Sequence, residues 1–368
     1  MRSLQSYEDS LKNPISERQL AGRKIALTGA TGFIGSCVML ALLRSDVELT
    51  VLVRQSRQMR QIRAFGAHPV LVDFADSSSL EAALKNCEIL INFAYDMRAS
   101  AGPNIAVFDA LLSAAQAVRI ARIVQASSVA VYDGWPLAQE LSEEAPCDAP
   151  PATAYVAAKR EIEARLMAQG KMTAAILQPS IVYGPGSAIW TEAPLAILAK
   201  SQIVLPDPSG HCPAVFVEDV VQACLKAALC PDLRKERFLI SGADNLTWSD
   251  LFEGYARVLG KGEIQLVAQD KLLREIGPPR TGAPRIPGIG ARLGGAARQV
   301  LGHAMVEAAG ELVRGLKTPR GPAWPSPSQL QLYCGCPKIN LKAAQTRLGY
   351  QPSIKFEAGL QSIAATFR

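Results

Sequence analysis

A glycine-spaced segment near the N-terminus limits the folds open to this chain more than any other stretch. Residues 24–35 read K-I-A-L-T-G-A-T-G-F-I-G, in which a short apolar run leads into a turn containing Gly29, Gly32 and Gly35. Gly29 permits the tight turn, Gly32 lets the backbone approach a pyrophosphate, and Gly35 lets a following helix pack closely on the strand. A helix N-terminus also offers free N–H groups to phosphates. The segment therefore predicts a strand, a turn and a helix that bind a dinucleotide.

Strand-like and helix-like segments alternate after this turn. The predicted strands span residues 48–53, 69–74, 88–93, 122–126, 173–177 and 237–241, and the predicted helices span residues 33–43, 77–84, 104–118, 153–168, 191–200, 217–229 and 247–259. This alternation predicts an α/β fold of the Rossmann type, a doubly wound parallel sheet. The less regular sequence after Gly186 predicts a smaller, mainly helical C-terminal substrate lobe.

The predicted domain boundaries follow from these segments. Residues 1–20 form a loose N-terminal arm, residues 21–183 the dinucleotide-binding Rossmann domain to which residues 214–242 return, and residues 184–213 and 243–368 the substrate-binding lobe. The polar start lacks a signal peptide, and the eight cysteines show no paired framework, so we expect a cytoplasmic protein with reduced thiols. Three separated histidines and unsuited cysteine spacing predict no metal site.

The net charge of +6 is concentrated in one segment. Residues 271–320 contain nine basic and three acidic residues, an excess that equals the net charge of the whole chain. Within them, residues 285–320 form a basic segment whose apolar residues recur at helical spacing, which favours an amphipathic lid helix of the substrate lobe. The alternative is a surface that docks on an anionic membrane, which would make the protein membrane-peripheral. The segment lacks interleaved aromatic residues, so we expect no binding to nucleic acid.

The residues after the second predicted strand bear on the choice of cofactor. NAD-binding folds place an acidic residue there to bind the ribose 2′-hydroxyl, whereas this chain has Arg54 and Arg57. A guanidinium binds a 2′-phosphate in fork geometry, so the sequence favours NADP over NAD. The alternative is that both arginines are solvated residues at the start of a helix, which leaves NAD open.

Three side chains suggest acid–base chemistry beside that cofactor. Tyr155 and Lys159 are four residues apart on a predicted helix and share a face, and Ser128 follows the fifth predicted strand. An ammonium next to a phenol favours the phenolate, which predicts Tyr155 as an acid or base near neutral pH. The ligands of α/β sheets bind at the carboxyl ends of the strands, where Ser128 lies.

Several motifs together resemble those of one enzyme family. They are T-G-A-T-G-F-I-G at 28–35, V-D-F-A-D at 72–76, N-I-A-V-F-D-A-L-L-S-A-A at 104–115, S-S-V-A-V-Y at 127–132, Tyr155-x-x-x-Lys159, Q-P-S-I-V-Y-G-P-G at 178–186, F-V-E-D-V-V at 216–221 and K-A-A-Q-T-R-L-G-Y-Q-P at 342–352. In this order they resemble the extended short-chain dehydrogenase/reductase family, also called the NAD-dependent epimerase/dehydratase family. The resemblance implies hydride transfer to or from a nicotinamide cofactor, and a homodimer formed through the helices of Asn104 and Tyr155.

The resemblance also implies roles for individual residues. Tyr155 would be the acid or base, Lys159 would hold the nicotinamide ribose, Ser128 would bind the substrate oxygen, and Asn104 would support a proton relay to Lys159. The expected cofactor contacts are Gly29, Thr31, Gly32, Phe33, Ile34, Gly35, Arg54, Arg57, Asp73, Phe74, Phe93, Ala94, Ser127, Tyr155, Lys159, Pro179, Ile181 and Val182. The expected substrate contacts are Tyr95, Arg98, Val129 and Cys212.

Departures from the family pattern point to the substrate. Val129 and Ala130 stand where the 4,6-dehydratases carry Asp-Glu, Ile181 where nucleotide-sugar epimerases carry Asn, and Cys212 where they often carry Arg. The first change removes the acid and base for water elimination. Because a buried diphosphate without polar partners is costly, the changes at Ile181 and Cys212 argue against a nucleotide sugar. We therefore expect an NADP-dependent oxidoreductase that interconverts a secondary alcohol and a ketone on an apolar or lipid-like substrate. The alternatives are a nucleotide-sugar epimerase or reductase, and a non-catalytic NAD(P)-binding assembly protein.

Overall fold

A computed structural model describes residues 19–276 and 321–367. Its strands are β1 (Lys24–Thr28), β2 (Glu48–Val53), β3 (His68–Leu71), β4 (Ile89–Asn92), β5 (Arg122–Ala126), β6 (Glu140–Leu141), β7 (Thr173–Pro179), β8 (Ile181–Tyr183), β9 (Ile203–Asp207), β10 (His211–Cys212), β11 (Ala214–Phe216), β12 (Lys235–Ile240), β13 (Leu246–Thr247), β14 (Ile264–Ala268) and β15 (Lys338–Ile339).

The α-helices described are α1 (Phe33–Leu43), α2 (Ser56–Arg63), α3 (Ser77–Leu84), α4 (Ala101–Ala117), α5 (Ala154–Ala168), α6 (Ala193–Leu198), α7 (Val217–Leu229), α8 (Trp248–Leu259), α9 (Gln269–Ile276), α10 (Pro327–Cys334), α11 (Lys342–Leu348) and α12 (Phe356–Phe367). A 3-10 turn spans Val129–Val131, and a π-helical turn spans Ala188–Glu192.

Seven parallel strands form the central sheet, in the order β3-β2-β1-β4-β5-β7-β12. Apolar residues of α1 and α7 pack on one face, and those of α3, α4 and α5 pack on the other. This arrangement confirms the predicted doubly wound α/β fold. The strand order reverses between β1 and β4, so a crevice opens there at the carboxyl ends of the strands, where such folds bind ligands.

The predicted bounds agree best for buried, strongly patterned elements and less well at strand ends. Helix α1 and strand β2 begin and end at the predicted residues. The strand predicted at 69–74 is observed as His68–Leu71. It stops earlier because Asp73 forms a turn, in which its Oδ1 accepts a hydrogen bond from the Ala75 N–H. The helix predicted at 191–200 is divided between the π-helical turn and α6.

The C-terminal lobe packs around an aromatic cluster. Trp248 contacts Trp190, Phe252 and Tyr333, with ring centroids 4.9 to 5.9 Å apart. Strands β9 and β14 of the same lobe pair in parallel. The lobe is therefore mainly helical but includes a small sheet. The basic segment 285–320 and nearly all of the arm at 1–20 lie outside the described residues. None of the described helices is both long and apolar enough to span a membrane.

Candidate cofactor and active site

The glycine turn lies at the carboxyl end of β1, over the crevice. Gly29 has φ +76°, and a Cβ atom there would collide with the backbone of Phe93 at the end of β4. A Cβ at Gly35 would collide with the Gly29 carbonyl, so α1 approaches the turn more closely than any side chain permits. Gly32 is the N-cap of α1 and makes no side-chain capping bond. The first N–H groups of α1 are thus available to an anion, as a pyrophosphate requires.

A cleft of about 1280 Å³ extends from this turn along the strand ends. Among the predicted cofactor contacts, its walls contain Gly29, Thr31, Gly32, Arg54, Asp73, Phe74, Phe93 and Ala94, and they also contain Tyr95 and Asn104. Asn104 lies on helix α4, and the others come from the loops after β1, β2, β3 and β4, which meet at one edge of the sheet. The uncapped helix, the glycine turn and the basic side chain of Arg54 fit a dinucleotide with phosphate groups.

Two arginines lie after strand β2 and at the start of α2, with different partners. Arg54 follows β2, and its Nη1 lies 2.7 Å from Oδ2 of Asp96. Arg57 lies in the first turn of α2 and donates from Nε to the side-chain oxygen of Gln55. Sequence reasoning missed Asp96, because it lies four residues after β4 in the sequence and meets Arg54 only when the two loops come together.

Helix α5 brings Tyr155 and Lys159 under the end of β5. The Thr153 side chain caps this helix by accepting a hydrogen bond from the Val156 N–H, which fixes Tyr155 in the first turn. Lys159 Nζ donates to the carbonyl oxygen of Ala126 at 2.8 Å and lies 5.6 Å from the centroid of the Tyr155 ring. The Ser128 hydroxyl lies near enough to the Tyr155 phenol to lower its pKa. The three predicted residues therefore meet in one buried place.

Burial sets the protonation of this group. Burial raises the pKa of Tyr155 to about 12, and the neighbouring Ser128 hydroxyl offsets only part of that rise. Burial also lowers the pKa of Lys159 to about 8, while the nearby Glu163 carboxylate acts in the opposite direction. The sequence predicted a phenol pKa lowered by the ammonium. That expectation was wrong for the chain by itself, because loss of water around the phenol raises its pKa and the Glu163 carboxylate acts in the same direction.

Tyr95 links the cleft to this centre. Its ring stands edge-on to Tyr155, with centroids 5.2 Å apart and planes 77° apart, and Lys159 Nζ lies 4.9 Å from its centroid. Burial raises the pKa of the Tyr95 hydroxyl. That hydroxyl is enclosed and has no hydrogen-bond partner among the described residues. Because a buried hydroxyl is normally paired, Tyr95 presents a group that a ligand can engage.

Asn104 holds the loop that carries Tyr95. Its Oδ1 accepts a hydrogen bond from the Asp96 N–H at 2.8 Å, and its Nδ2 donates to the carbonyl oxygens of Asp96 and Ser100, each at 3.0 Å. The amide is thus engaged by the 95–100 loop. The proton relay to Lys159 that the family resemblance implies stays a prediction.

A buried carboxylate lies one helical turn beyond Lys159. Glu163 is 2% exposed and accepts hydrogen bonds from the Ser127 hydroxyl at 2.5 Å, the Gln178 amide at 2.9 Å and Arg237 Nε at 2.6 Å. It therefore joins α5 to strands β7 and β12 and to the residue before Ser128. Sequence reasoning missed this group, although its spacing of four from Lys159 places it on the same face of the helix.

Side-chain hydrogen bonds also tie three strand ends together. Thr28 Oγ1 donates to Asn92 Oδ1 at 2.5 Å, Asn92 Nδ2 to Gln125 Oε1 at 2.7 Å, and Gln125 Nε2 to the Ala126 carbonyl at 2.8 Å. All three side chains are nearly or fully buried. This series runs across β1, β4 and β5, from the residue before Gly29 to the carbonyl that binds Lys159.

The remaining predicted contacts lie around the centre with different exposure. Ile181 and Cys212 are fully buried in the core, and Val129 is fully buried in the 3-10 turn after Ser128. Arg98 is exposed, and its backbone N–H bonds Asp96. The other predicted cofactor contacts, Phe33, Ile34, Gly35, Ser127, Pro179 and Val182, lie on α1, at the end of β5, on β7 and on β8. No cluster of side chains suited to a metal ion occurs within residues 19–276 and 321–367.

The fold and this site define a nucleotide-binding protein with a Rossmann domain. The sequence profile described as "NAD dependent epimerase/dehydratase family" matches residues 25–240, more than half of the chain. The chain belongs to this family, and it is accordingly an NAD(P)-dependent enzyme of the extended short-chain dehydrogenase/reductase type.

Two curated relatives have names that include a reductase activity. Over 167 residues the chain is 29% identical to the 4-hydroxy-2-methyl-3-oxo-4-farnesyl-3,4-dihydroquinoline-1-oxide ketoreductase of Stigmatella aurantiaca, a match covering 43% of this chain and 50% of that protein. The chain therefore spans about half the length of that relative. Over 243 residues it is 28% identical to the ceramide reductase of Caulobacter vibrioides, covering 64% of this chain and 70% of that protein.

Solved structures with the same fold include several epimerases. The UDP-glucuronic acid 4-epimerase of Bacillus cereus, solved with UDP-glucuronic acid and NAD, has a TM-score of 0.65 at 16% identity, covering 94% of this chain and 98% of that chain. The ADP-L-glycero-D-manno-heptose-6-epimerase of Helicobacter pylori has a TM-score of 0.64 at 15% identity, covering 95% and 97%. At this level of identity the likeness shows the fold alone.

Proposed function

We propose that this protein is an NADP-dependent ketoreductase that acts on an apolar, lipid-like ketone. The observation that carries the proposal is the buried cluster of Tyr155, Ser128 and Lys159. Burial raises the pKa of Tyr155 to about 12, so the phenol is protonated at neutral pH. A protonated phenol is the form that gives a proton to a carbonyl oxygen, which is what reduction of a ketone requires.

In this proposal each side chain of the cluster has one task. The Ser128 hydroxyl donates a hydrogen bond to the ketone oxygen and holds it beside Tyr155. Tyr155 transfers its proton to that oxygen as negative charge develops there, and the Lys159 ammonium stabilises the phenolate left behind. When bound, the nicotinamide cofactor supplies the hydride that adds to the carbonyl carbon. The ketone thereby gains a hydride and a proton and becomes a secondary alcohol.

Residues at the glycine turn and after β2 would hold the cofactor. The N–H groups of α1 would bind the pyrophosphate, Arg54 would bind the 2′-phosphate, and Lys159 would bind the nicotinamide ribose. Arg54 keeps 52% of its side chain exposed, so its guanidinium is accessible to a ligand. This access supports NADP rather than NAD as the preferred cofactor.

The apolar character of the substrate is inferred from buried positions and from the relatives. Ile181 and Cys212 stand where diphosphate-binding side chains occur in the sugar epimerases, and both are fully buried. Burial also raises the pKa of the Cys212 thiol well above its usual value, so this position brings no charge to a ligand. The names of the two curated relatives include a farnesyl group and a ceramide, which supports a lipid-like ketone for this chain.

The test is oxidation of NADPH and of NADH by the purified full chain, with long-chain ketolipids and UDP-sugars presented side by side. We expect a ketolipid to drive NADPH oxidation, and the Tyr155→Phe variant to slow it by about 10²- to 10⁴-fold. Tyr350→Phe is the matched control, because Tyr350 is another buried tyrosine and bonds the Ser241 carbonyl, remote in sequence from the cluster. Turnover of a UDP-sugar with tightly held NAD, or full activity of Tyr155→Phe, would refute the proposal.

A further inference from the structure

An ion pair spans the cleft where the adenosine half of a dinucleotide must lie. Arg54 follows β2, Asp96 follows β4, and strand β1 lies between them in the sheet. Two strand spacings amount to about 9–10 Å, so the pair passes over the carboxyl end of β1 and the glycine turn. Both side chains belong to the walls of the cleft. A bound cofactor therefore meets this pair directly.

Asp96 is held in place from several directions. Its backbone N–H and carbonyl are both bonded by the Asn104 amide, at 2.8 and 3.0 Å. Its Oδ1 accepts the Arg98 N–H at 2.9 Å, while its Oδ2 lies on Arg54. Burial acts to raise the pKa of Asp96, but the Arg98 N–H and Arg54 outweigh it and hold the pKa below the usual range. The carboxylate is thus fixed and charged at neutral pH.

A carboxylate on a guanidinium uses the same N–H donors that a phosphate monoester would use. Asp96 therefore occupies one donor group of Arg54, Nη1, that a 2′-phosphate would otherwise use. It is also an acid beside the expected ribose, of the type that binds the 2′-hydroxyl of NAD, although it comes from β4 and not from β2. The sequence lacks an acid after β2, but the folded chain supplies one in space.

We propose that Asp96 sets the cofactor preference of this site by competing with the 2′-phosphate of NADP for Arg54. With NAD, Arg54 keeps Asp96 as its partner, and the carboxylate accepts the ribose 2′-hydroxyl. With NADP, the 2′-phosphate displaces Asp96 from Arg54 and remains close to its negative charge. The preference for NADP is therefore smaller than Arg54 alone would give. This inference rests on the proposed role of Arg54 and goes beyond it by naming the residue that limits that role.

The test is calorimetric binding of 2′,5′-ADP and of 5′-ADP to the full chain and to Asp96→Asn. Asparagine keeps an oxygen that accepts the Arg98 N–H but removes the negative charge. The melting temperature of the Asp96→Asn protein should therefore stay close to that of the wild type. We expect the variant to bind 2′,5′-ADP about three- to tenfold more tightly, because an exposed ion pair no longer competes and a repulsion is lost. Its affinity for 5′-ADP should be unchanged or lower.

Glu88→Gln is the matched control. Glu88 precedes the same strand β4 at its opposite end and makes an ion pair of 2.8 Å with Arg23, so the substitution removes a comparable pair far from the cleft. It should leave both affinities unchanged. An unchanged or lower ratio of 2′,5′-ADP to 5′-ADP affinity in Asp96→Asn overturns the proposal, as does a wild-type chain that binds neither probe.

The outcomes also separate this inference from the proposed function. If the wild type prefers 2′,5′-ADP and Asp96→Asn does not change the ratio, the NADP preference stands and only the role of Asp96 fails. If Arg54→Gln leaves the affinity for 2′,5′-ADP unchanged, the assignment of the 2′-phosphate to Arg54 fails, and the role of Asp96 fails with it.

Discussion

Replacing Glu163 by glutamine tests whether the buried carboxylate maintains the charge of Lys159. Lys159 and Glu163 are one helical turn apart, and Glu163 raises the pKa of the lysine against the effect of burial. At a separation of about 7 Å and an effective dielectric constant of about 20, one charge changes the other's pKa by about 1.7 units. Arg237 is present in both the wild type and the variant, so its field does not change, and we expect the pKa of Lys159 to fall by the full amount of about 1.7 units from its value of about 8.

The sign of the effect follows from the role of the ammonium. In the proposed mechanism Lys159 acts only when protonated, so activity is present below its pKa and is lost as the pH rises through it. The wild-type kcat/KM for ketone reduction should therefore decline near pH 8, and that of Glu163→Gln should decline about 1.7 pH units lower. The phenol contributes no decline in this range, since burial raises the pKa of Tyr155 to about 12.

Stability must be measured beside the pH profile, because Glu163 also pairs with Arg237. Removing one partner of a buried ion pair destabilises a protein by about 3–5 kcal/mol. Because Arg237 keeps 27% of its side chain exposed, we expect the free energy of unfolding to fall by about 2–4 kcal/mol. Glu236→Gln, which breaks the more exposed pair with Arg347, should cost about 1 kcal/mol or less and leave the pH profile unchanged. The double variant Glu163→Gln/Arg237→Met should recover stability, and its decline should fall between those of the wild type and the single variant, because removal of the Arg237 charge restores part of the lysine pKa. A decline that stays near pH 8 in both Glu163 variants would refute the reasoning.

Two further substitutions test the cleft. Tyr95→Phe removes a hydroxyl that has no partner in the described chain, so the free energy of unfolding should change by less than about 1 kcal/mol, while the KM of a ketone substrate should rise about three- to tenfold; an unchanged KM, or a large loss of stability, would contradict the assignment. Gly35→Ala places a methyl group against the Gly29 carbonyl, so equilibrium dialysis should show at least tenfold weaker binding of NADPH, whereas Gly170→Ala, where the added methyl meets open space, should bind it normally.

Sequence reasoning succeeded where a pattern is local. The residues of the turn at Gly29 and the bounds of helix α1 were predicted correctly. A left-handed turn and a close approach of the helix both require glycine, so the glycines recur at a fixed spacing in the sequence. Tyr155 and Lys159 were predicted to share a face for a similar reason, since a helix repeat of four residues determines it.

Other features depend on distances across the fold and left no local pattern. Asp96 meets Arg54 from 42 residues away, and Glu163 meets Arg237 from 74 residues away. The protonation of Tyr155 was predicted in the wrong direction because a pattern of residue types does not report burial, which is the larger effect on its pKa. The strand predicted at 69–74 was too long because the backbone turns at Asp73, and the residues after it do not continue the hydrogen bonds between strands.

The series of side chains from Thr28 to Ala126 has a consequence for ligand binding. Lys159 uses one of its three N–H donors on the Ala126 carbonyl, which also accepts a hydrogen bond from the Gln125 amide. Among the described contacts, two donors of Lys159 therefore remain for a ligand. Thr28 precedes the glycine turn and bonds Asn92, and Asn92 bonds Gln125. These hydrogen bonds fix the distance between the glycine turn and Lys159 in the folded chain. The entropy of aligning the two halves of the site is lost once, during folding, and a dinucleotide that binds later does not lose it again.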